Sequence, residues 1–203
     1  MLTMALAAIT GVLNAQEKYA VLITGPYSVV GIPPEEQWNN GEGKGPDELY
    51  YEFWNDTFLM WEMLVTKKGY SDENVFVLFA EGIDFTVANP WIDGRYNAQI
   101  SYPDYYPITD YSAYIANVQA VFNGLRTGLN GFPLVTENDF LFVWTFDHGQ
   151  SSGGNSYLRL MDGLMSDDAF AALVNPIPAH KKVFLSHPID LIKSETLTGF
   201  LID

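Results

Sequence analysis

The chain has 203 residues, of which 48% are apolar and 15% aromatic, and it contains no cysteine. This length and composition predict one globular domain with a sizeable core and argue against disorder. The formal net charge of −15 disfavours nucleic acid and anionic membrane surfaces as partners, because no basic stripe can neutralise phosphates. The lack of cysteine excludes disulfides, thiolate metal sites and a cysteine nucleophile from the chain as written.

The first residues, MLTMALAAITGVLNA, are similar to the apolar part of a secretory signal peptide. They carry no charge, and Ala15 supplies a small residue at the cleavage point. No Lys or Arg precedes the apolar run, and the alternative is a buried N-terminal helix. We assign residues 1–15 to a signal peptide and 16–203 to the domain. We expect a secreted or periplasmic protein with no membrane span after removal of the signal, because the run is short for a bilayer.

Short apolar runs along the chain predict β-strands that are buried on both faces, because they are rich in β-branched or aromatic residues and do not alternate with polar ones. The runs are Tyr19–Thr24, Val75–Ala80, Phe140–Thr145 and Val183–Leu185.

Three segments between the predicted strands have helical spacing. The first runs from Asp47 to Lys68 and is followed by Gly69, a typical helix terminator. The second has Ser112 as its predicted cap and an apolar stripe, and the third begins at Ser166 with an acidic first turn. The stripe of the second helix consists of Ile115, Val118, Phe122, Leu125 and Leu129. Strands alternating with helices predict an α/β fold: a mainly parallel central sheet between two helical layers.

The candidate site follows the third predicted strand, in the stretch FLFVWTFDHGQSSG. His148 comes just after this strand, at the carboxyl edge of the predicted sheet, where functional groups collect in α/β folds. Gly149 and the small residues 151–154 predict a flexible loop that could present backbone N–H groups to an oxyanion. Two long segments, 26–46 and 81–110, also follow strand ends and are candidates for functional loops.

Five segments in chain order carry a family resemblance. They are KYAVLITG, YEFWNDTFLMWEMLVTKKGYSDENVFVLFAEGID, NDFLFVWTFDHGQ, the expected helix LRLMDGLMSDDAFAALV, and KKVFL. Taken in order, these segments resemble the legumain-like branch of the caspase/legumain/gingipain clan of cysteine peptidases, in its secreted bacterial type. The resemblance implies a caspase-like α/β/α sandwich and a cysteine endopeptidase without a cofactor or metal, acting on peptides or proteins. By resemblance, His148 is the acid–base residue and the Gly149 N–H holds the oxyanion.

The resemblance ends shortly after Leu185. In this family the fourth strand leads within a few residues into the nucleophilic cysteine, but here Ser186 follows, and position 189 is isoleucine. Ser186 is an alternative nucleophile that Pro188 and its early position disfavour. We expect an inactive relative, and we favour a frame or splice change after Leu185 over a true pseudo-peptidase. We also expect the last strands of the fold to be missing, which would leave an exposed sheet edge and a marginally stable or aggregating chain.

The expected substrate contacts are Glu52, Asp147 and Ser186. Glu52 occupies the position where asparagine-specific relatives carry an arginine, so asparagine specificity is not implied. Glu52 could suit a basic substrate side chain, although a solvated helix residue is the simpler interpretation. Asp84, Asp93 and Asp104 could line a pocket for such a side chain.

Two further interpretations compete with the peptidase. One is a non-catalytic peptide-binding relative that uses the same sheet edge. The other is a metal-dependent hydrolase built on Asp147 and His148, which is weak because no spaced histidine pair or calcium-loop pattern occurs.

Overall fold

A computed structural model describes residues 16–25, 48–82, 84, 107–146, 150–152 and 154–187. The proposed signal peptide, the 26–46 segment and most of the 81–110 segment lie outside these residues. Two sheets and three α-helices make up the described part of the chain.

The larger sheet is parallel and contains all four strands that the sequence predicts. The strands are β1 (Lys18–Thr24), β2 (Val75–Phe79), β3 (Phe140–Phe146) and, after three short strands of a second sheet, β7 (Lys181–His187). Their order is β2-β1-β3-β7, so the chain starts in the middle of the sheet and adds strands on both sides. The predicted mainly parallel α/β fold is therefore confirmed, and β7 extends beyond its predicted apolar run at both ends.

The helices cover both faces of this sheet, because successive strand residues point to opposite sides. Helix α1 (Glu48–Lys67) packs on the face that carries Leu22 and Trp144. Helices α2 (Ile115–Thr127) and α3 (Asp167–Val174) pack on the opposite face, which carries Val21 and Val143. Two apolar cores result, one on each side of the sheet. None of the described helices is both long and apolar enough to cross a lipid bilayer.

The start of α3 is as predicted, but the start of α2 is not. Ser166 is the N-cap of α3, and its Oγ accepts a hydrogen bond of 3.2 Å from the Ala169 N–H. Helix α2 begins after Tyr114, so Ser112 is not its cap. Ser112 Oγ instead accepts a hydrogen bond of 2.7 Å from Asn117 Nδ2. Leu129 lies beyond the end of α2 and is 62% exposed, so it does not belong to the buried stripe.

A small antiparallel sheet follows the candidate site, where a loop and then a helix were expected. It consists of β4 (Gln150–Ser152), β5 (Asn155–Leu160) and β6 (Gly163–Ser166), in the order β4-β5-β6. Ser151 and Ser152 of the expected loop 151–154, and the start of the helix that the resemblance implied, therefore belong to strands. Leu158 and Leu160 alternate with more exposed residues and are buried in the α2 core. This burial favours strands over a loop.

Candidate functional site

The carboxyl ends of all four parallel strands are level at one edge of the large sheet. Thr24, at the end of β1, is the register partner of Phe79 in β2 and of Phe146 in β3. Phe146 is in turn the register partner of His187, the last residue of β7. We call the row Phe79, Thr24, Phe146 and His187 the carboxyl row.

The residues assigned to acid–base and oxyanion roles, His148 and Gly149, lie outside the described residues, as does Asp147. Both flanks of this short stretch are described. On one side, Phe146 is buried, and its ring stacks on Trp144 with centroids 5.4 Å apart and planes 3° apart. On the other side, the chain re-enters a strand at Gln150. The stretch 147–149 therefore joins the large sheet to the small one.

Ser186 belongs to strand β7 and not to a loop beyond it, which corrects the expected strand end at Leu185. Its backbone pairs with Thr145 in β3. Because Phe146 pairs with His187, positions 148 and 189 are each two residues past the paired strand ends. Ile189, which stands where the resemblance places the cysteine, lies outside the described residues.

Glu52 lies on the end of α1 that is nearest the carboxyl row. The hydroxyls of Thr57 in α1 and Thr24 in β1 share a buried hydrogen bond of 2.7 Å. At the other end of α1, the Lys68 carbonyl accepts a hydrogen bond of 2.6 Å from Lys18 Nζ, so the helix runs antiparallel to β1. Glu52 precedes Thr57 by five residues, about 7.5 Å along the helix axis. The backbone of Glu52 therefore lies beyond the carboxyl row, in the direction in which β1, β3 and β7 end.

Asp84 accepts hydrogen bonds from the backbone of its own loop, which argues against the suggested pocket for a basic side chain. It is buried, and its two carboxylate oxygens accept hydrogen bonds from the N–H groups of Ile108 (3.1 Å) and Thr109 (2.8 Å). Asp84 thus ties together the two ends of the 85–106 segment. Asp93 and Asp104 lie outside the described residues.

The acidic residues near β2 include one carboxyl with a clearly perturbed pKa. Burial raises the pKa of Asp110 to about 6, with smaller contributions from Asp72 and Asp84, although the Val77 N–H donates to its Oδ2 at 2.8 Å and opposes the rise. Within the described ranges, no group of three or more His, Asp or Glu residues could hold a metal ion. The metal-hydrolase interpretation rested on Asp147 and His148, which lie outside those ranges.

No protein-family model matches the chain, and no curated protein is significantly similar to it. The functional argument therefore rests on the geometry of the carboxyl row. Sequence reasoning missed two polar contacts close to this region: the Thr24–Thr57 hydroxyl pair and the contact of Asp162 with the start of α2. Each pairs residues far apart in the chain, so no local pattern indicates it.

Proposed function

We propose that the chain is a caspase-like relative of the legumain-type cysteine endopeptidases that binds an extended peptide at the carboxyl row. As written, it binds without cleaving, because the nucleophilic cysteine is absent. One observation carries the proposal: β3 and β7 are adjacent, parallel and level at their carboxyl ends. The histidine follows one of these strands, and the expected nucleophile position follows the other.

The pairing of β3 with β7 supports the proposal, because the order of segments along the chain does not determine which strands become neighbours. β3 and β7 are separated in sequence by three antiparallel strands and α3, yet they pair along seven consecutive residues. A Cys–His dyad needs its two residues to follow adjacent strand ends, because the histidine must reach both the nucleophile and the leaving amine.

The proposed roles follow from this arrangement. His148 is the acid–base residue, and the N–H of Gly149 donates to the carbonyl oxygen of the bound peptide bond. Glu52, on the neighbouring end of α1, favours a basic side chain in the peptide. Asp147 and Ser186 contribute polar contacts from the ends of β3 and β7.

Peptide binding by the full chain is the direct test. Fluorescence anisotropy would compare three labelled dodecapeptides that differ only in a central Lys, Asn or Glu. We expect saturable binding without cleavage products, strongest for the Lys peptide. A Glu52→Gln variant should remove this preference, and His148→Ala should leave the affinity almost unchanged. Equal, non-saturable signals for all three peptides would contradict the proposal.

Restoring the nucleophile tests the catalytic ancestry separately. We expect Ile189→Cys to confer slow cleavage of the bound peptide, and adding His148→Ala should reduce this rate by roughly 10²–10⁴-fold. Ile189→Ser is the matched control for the change in size and polarity. A folded Ile189→Cys chain without cleavage would argue against a dyad at these two positions. Re-reading the gene beyond codon 178 would show whether a shifted frame encodes the cysteine.

A further inference from the structure

The two apolar cores meet just past the carboxyl end of β2. The Ala113 N–H donates a hydrogen bond of 2.8 Å to the Ala80 carbonyl, and both alanines are buried. Ala80 belongs to the core on the α1 side of the large sheet, whereas Ala113 belongs to the core on the α2 side. One backbone hydrogen bond therefore joins the two sides of the sheet. We call this Ala80–Ala113 contact the core junction.

The turn between β5 and β6 docks at the core junction. The Met161 N–H donates a hydrogen bond of 3.0 Å to the Ala113 carbonyl, and the Ile115 N–H donates one of 2.9 Å to Asp162 Oδ1. The N-cap residue of α2, Tyr114, makes no side-chain capping bond. Asp162 therefore caps α2 from a different element, and its negative charge is favourable at a helix N-terminus. These contacts fix the backbone of the turn.

The side chain of Met161 bridges the two cores. It is partly buried, and it packs against the core on the α2 side and also against the core on the α1 side. Among the described residues, no other partly buried apolar side chain packs against both. An unbranched thioether suits this place, because it is flexible enough to fill an irregular gap.

A methionine at such a place is chemically vulnerable. A lone pair of its sulfur attacks an oxygen of hydrogen peroxide, the S–O bond forms as the O–O bond breaks, and water leaves. The sulfur is thereby oxidised to the sulfoxide and the peroxide is reduced. The sulfoxide is polar, so holding it against two apolar cores costs free energy unless its oxygen finds a hydrogen-bond donor.

The other methionines in the described part of the chain lack this combination of partial exposure and contact with both cores. Met63, on α1, is 36% exposed, so water can hydrate its sulfoxide. Met165, on β6, is buried, which shields its sulfur from oxidants in the folded chain. Met60 is partly buried but packs against the core on the α1 side alone. Oxidation at these positions should therefore be harmless, slow or limited in effect to one core.

We propose that Met161 is a reversible oxidation site, and that its sulfoxide releases the β5–β6 turn from the core junction. The oxidant is a small peroxide. Methionine sulfoxide reductases, which act on both sulfoxide epimers between them, reverse the modification and restore the docked turn. This inference does not depend on the proposed function, because it uses only the contacts of the turn and of the two cores.

The test treats the full chain with hydrogen peroxide and locates each oxidised methionine by mass spectrometry of proteolytic peptides. Urea unfolding before and after treatment measures stability. Met161→Leu keeps an apolar side chain of similar size that peroxide does not oxidise. Met63→Leu and Met60→Leu are the matched controls for the loss of a methionine elsewhere.

Amide hydrogen exchange shows whether the effect is local to the turn. The reporters are the N–H groups of Met161 and Ile115, which bond across the docked turn. The reference is the Val135 N–H, which donates to the Leu125 carbonyl at 2.9 Å beyond the far end of α2.

We expect peroxide to raise the unfolding equilibrium constant of the wild type by roughly tenfold, as for a buried polar group without a partner. Exchange at Met161 and Ile115 should accelerate more than exchange at Val135, and treatment with the reductases should reverse both changes. Met161→Leu should resist peroxide, whereas Met63→Leu and Met60→Leu should respond like the wild type.

Two results would overturn the inference. One is a Met161→Leu chain that peroxide destabilises as much as the wild type. The other needs no variant, so it does not depend on how well Met161→Leu folds. It is a wild-type chain in which Met161 stays unoxidised while folded, or is oxidised with no faster exchange at Met161 and Ile115 than at Val135.

Discussion

Thr24 Oγ1 and Thr57 Oγ1 lie 2.7 Å apart, and both residues are fully buried. The pair joins the last residue of β1, in the carboxyl row, to α1. It is a polar contact that holds α1 at a fixed position along β1, and Glu52 lies five residues before Thr57 in this helix.

Replacing Thr57 with valine should destabilise the chain by about 1–3 kcal/mol, because the Thr24 hydroxyl then loses this partner in a buried setting. The double variant Thr24→Val/Thr57→Val should be closer to the wild type than Thr57→Val alone, since both polar groups are then gone. Urea unfolding of the four chains in a double-mutant cycle measures the coupling. Strictly additive effects would show that the hydroxyl pair contributes nothing specific.

The sequence predicts the large sheet well, because apolar runs buried on both faces leave a direct signal. All four predicted runs are strands, and Trp54, Trp61 and Leu64, which have helical spacing in the sequence, lie on the buried face of α1. The order of the strands in the sheet is not predicted by these runs. The pairing of β3 with β7 depends on packing between distant segments, and no local pattern encodes it.

The small sheet shows where local patterns mislead. Residues 150–154 are polar or glycine, which is typical of a loop, but Gln150–Ser152 pairs with β5 because β5 is held by its buried leucines. The cap of α2 fails as a prediction for a similar reason. Ser112 has the right residue type near the right place, but Asp162 supplies the capping oxygen from another element.

Asp110 should make the stability of the chain depend on pH. Its pKa is about 6 in the folded chain, against roughly 3.9 for an unperturbed aspartate. Between these values the folded state binds the proton more tightly than the unfolded state. The stabilisation from protonated Asp110 is therefore fully present below the lower value and is lost as the pH rises through about 6.

Asp110→Asn should remove this component of the pH dependence, because the side chain stays neutral and still offers an oxygen to the Val77 N–H. The measurement is the urea midpoint of the wild type and the variant between pH 4 and pH 8. We expect the urea midpoint of the variant to increase relative to that of the wild type as the pH rises through about 6. Glu137→Gln, which removes an exposed carboxyl before β3, controls for the loss of charge alone. A constant difference between wild type and Asp110→Asn at every pH would contradict the prediction.

Gly82 should be intolerant of a side chain for two reasons that can be separated. Its φ is +92°, and a Cβ there would lie 2.8 Å from the Ser112 backbone nitrogen, which cannot move freely. Gly131 has a similar φ of +85°, but a Cβ at that position would meet no other atom within 4 Å. Alanine at Gly131 should cost about 1 kcal/mol from backbone strain alone, and alanine at Gly82 clearly more. Equal thermal shifts for the two variants would show that the contact with Ser112 adjusts without cost.

Leu185 on β7 should contribute to self-association and not to stability. It is 48% exposed on the sheet face where α1 packs mainly over β1 and β2, and β7 is an edge strand among the described residues. Exposed apolar edge strands template pairing with other chains, and a lysine blocks this. Leu185→Lys should therefore raise the concentration at which light scattering detects association, with an unfolding free energy within about 0.5 kcal/mol of the wild type. Leu129→Lys, at a more exposed leucine outside any strand, should leave association unchanged. If both variants improve solubility equally, added charge and not the edge of β7 explains the effect.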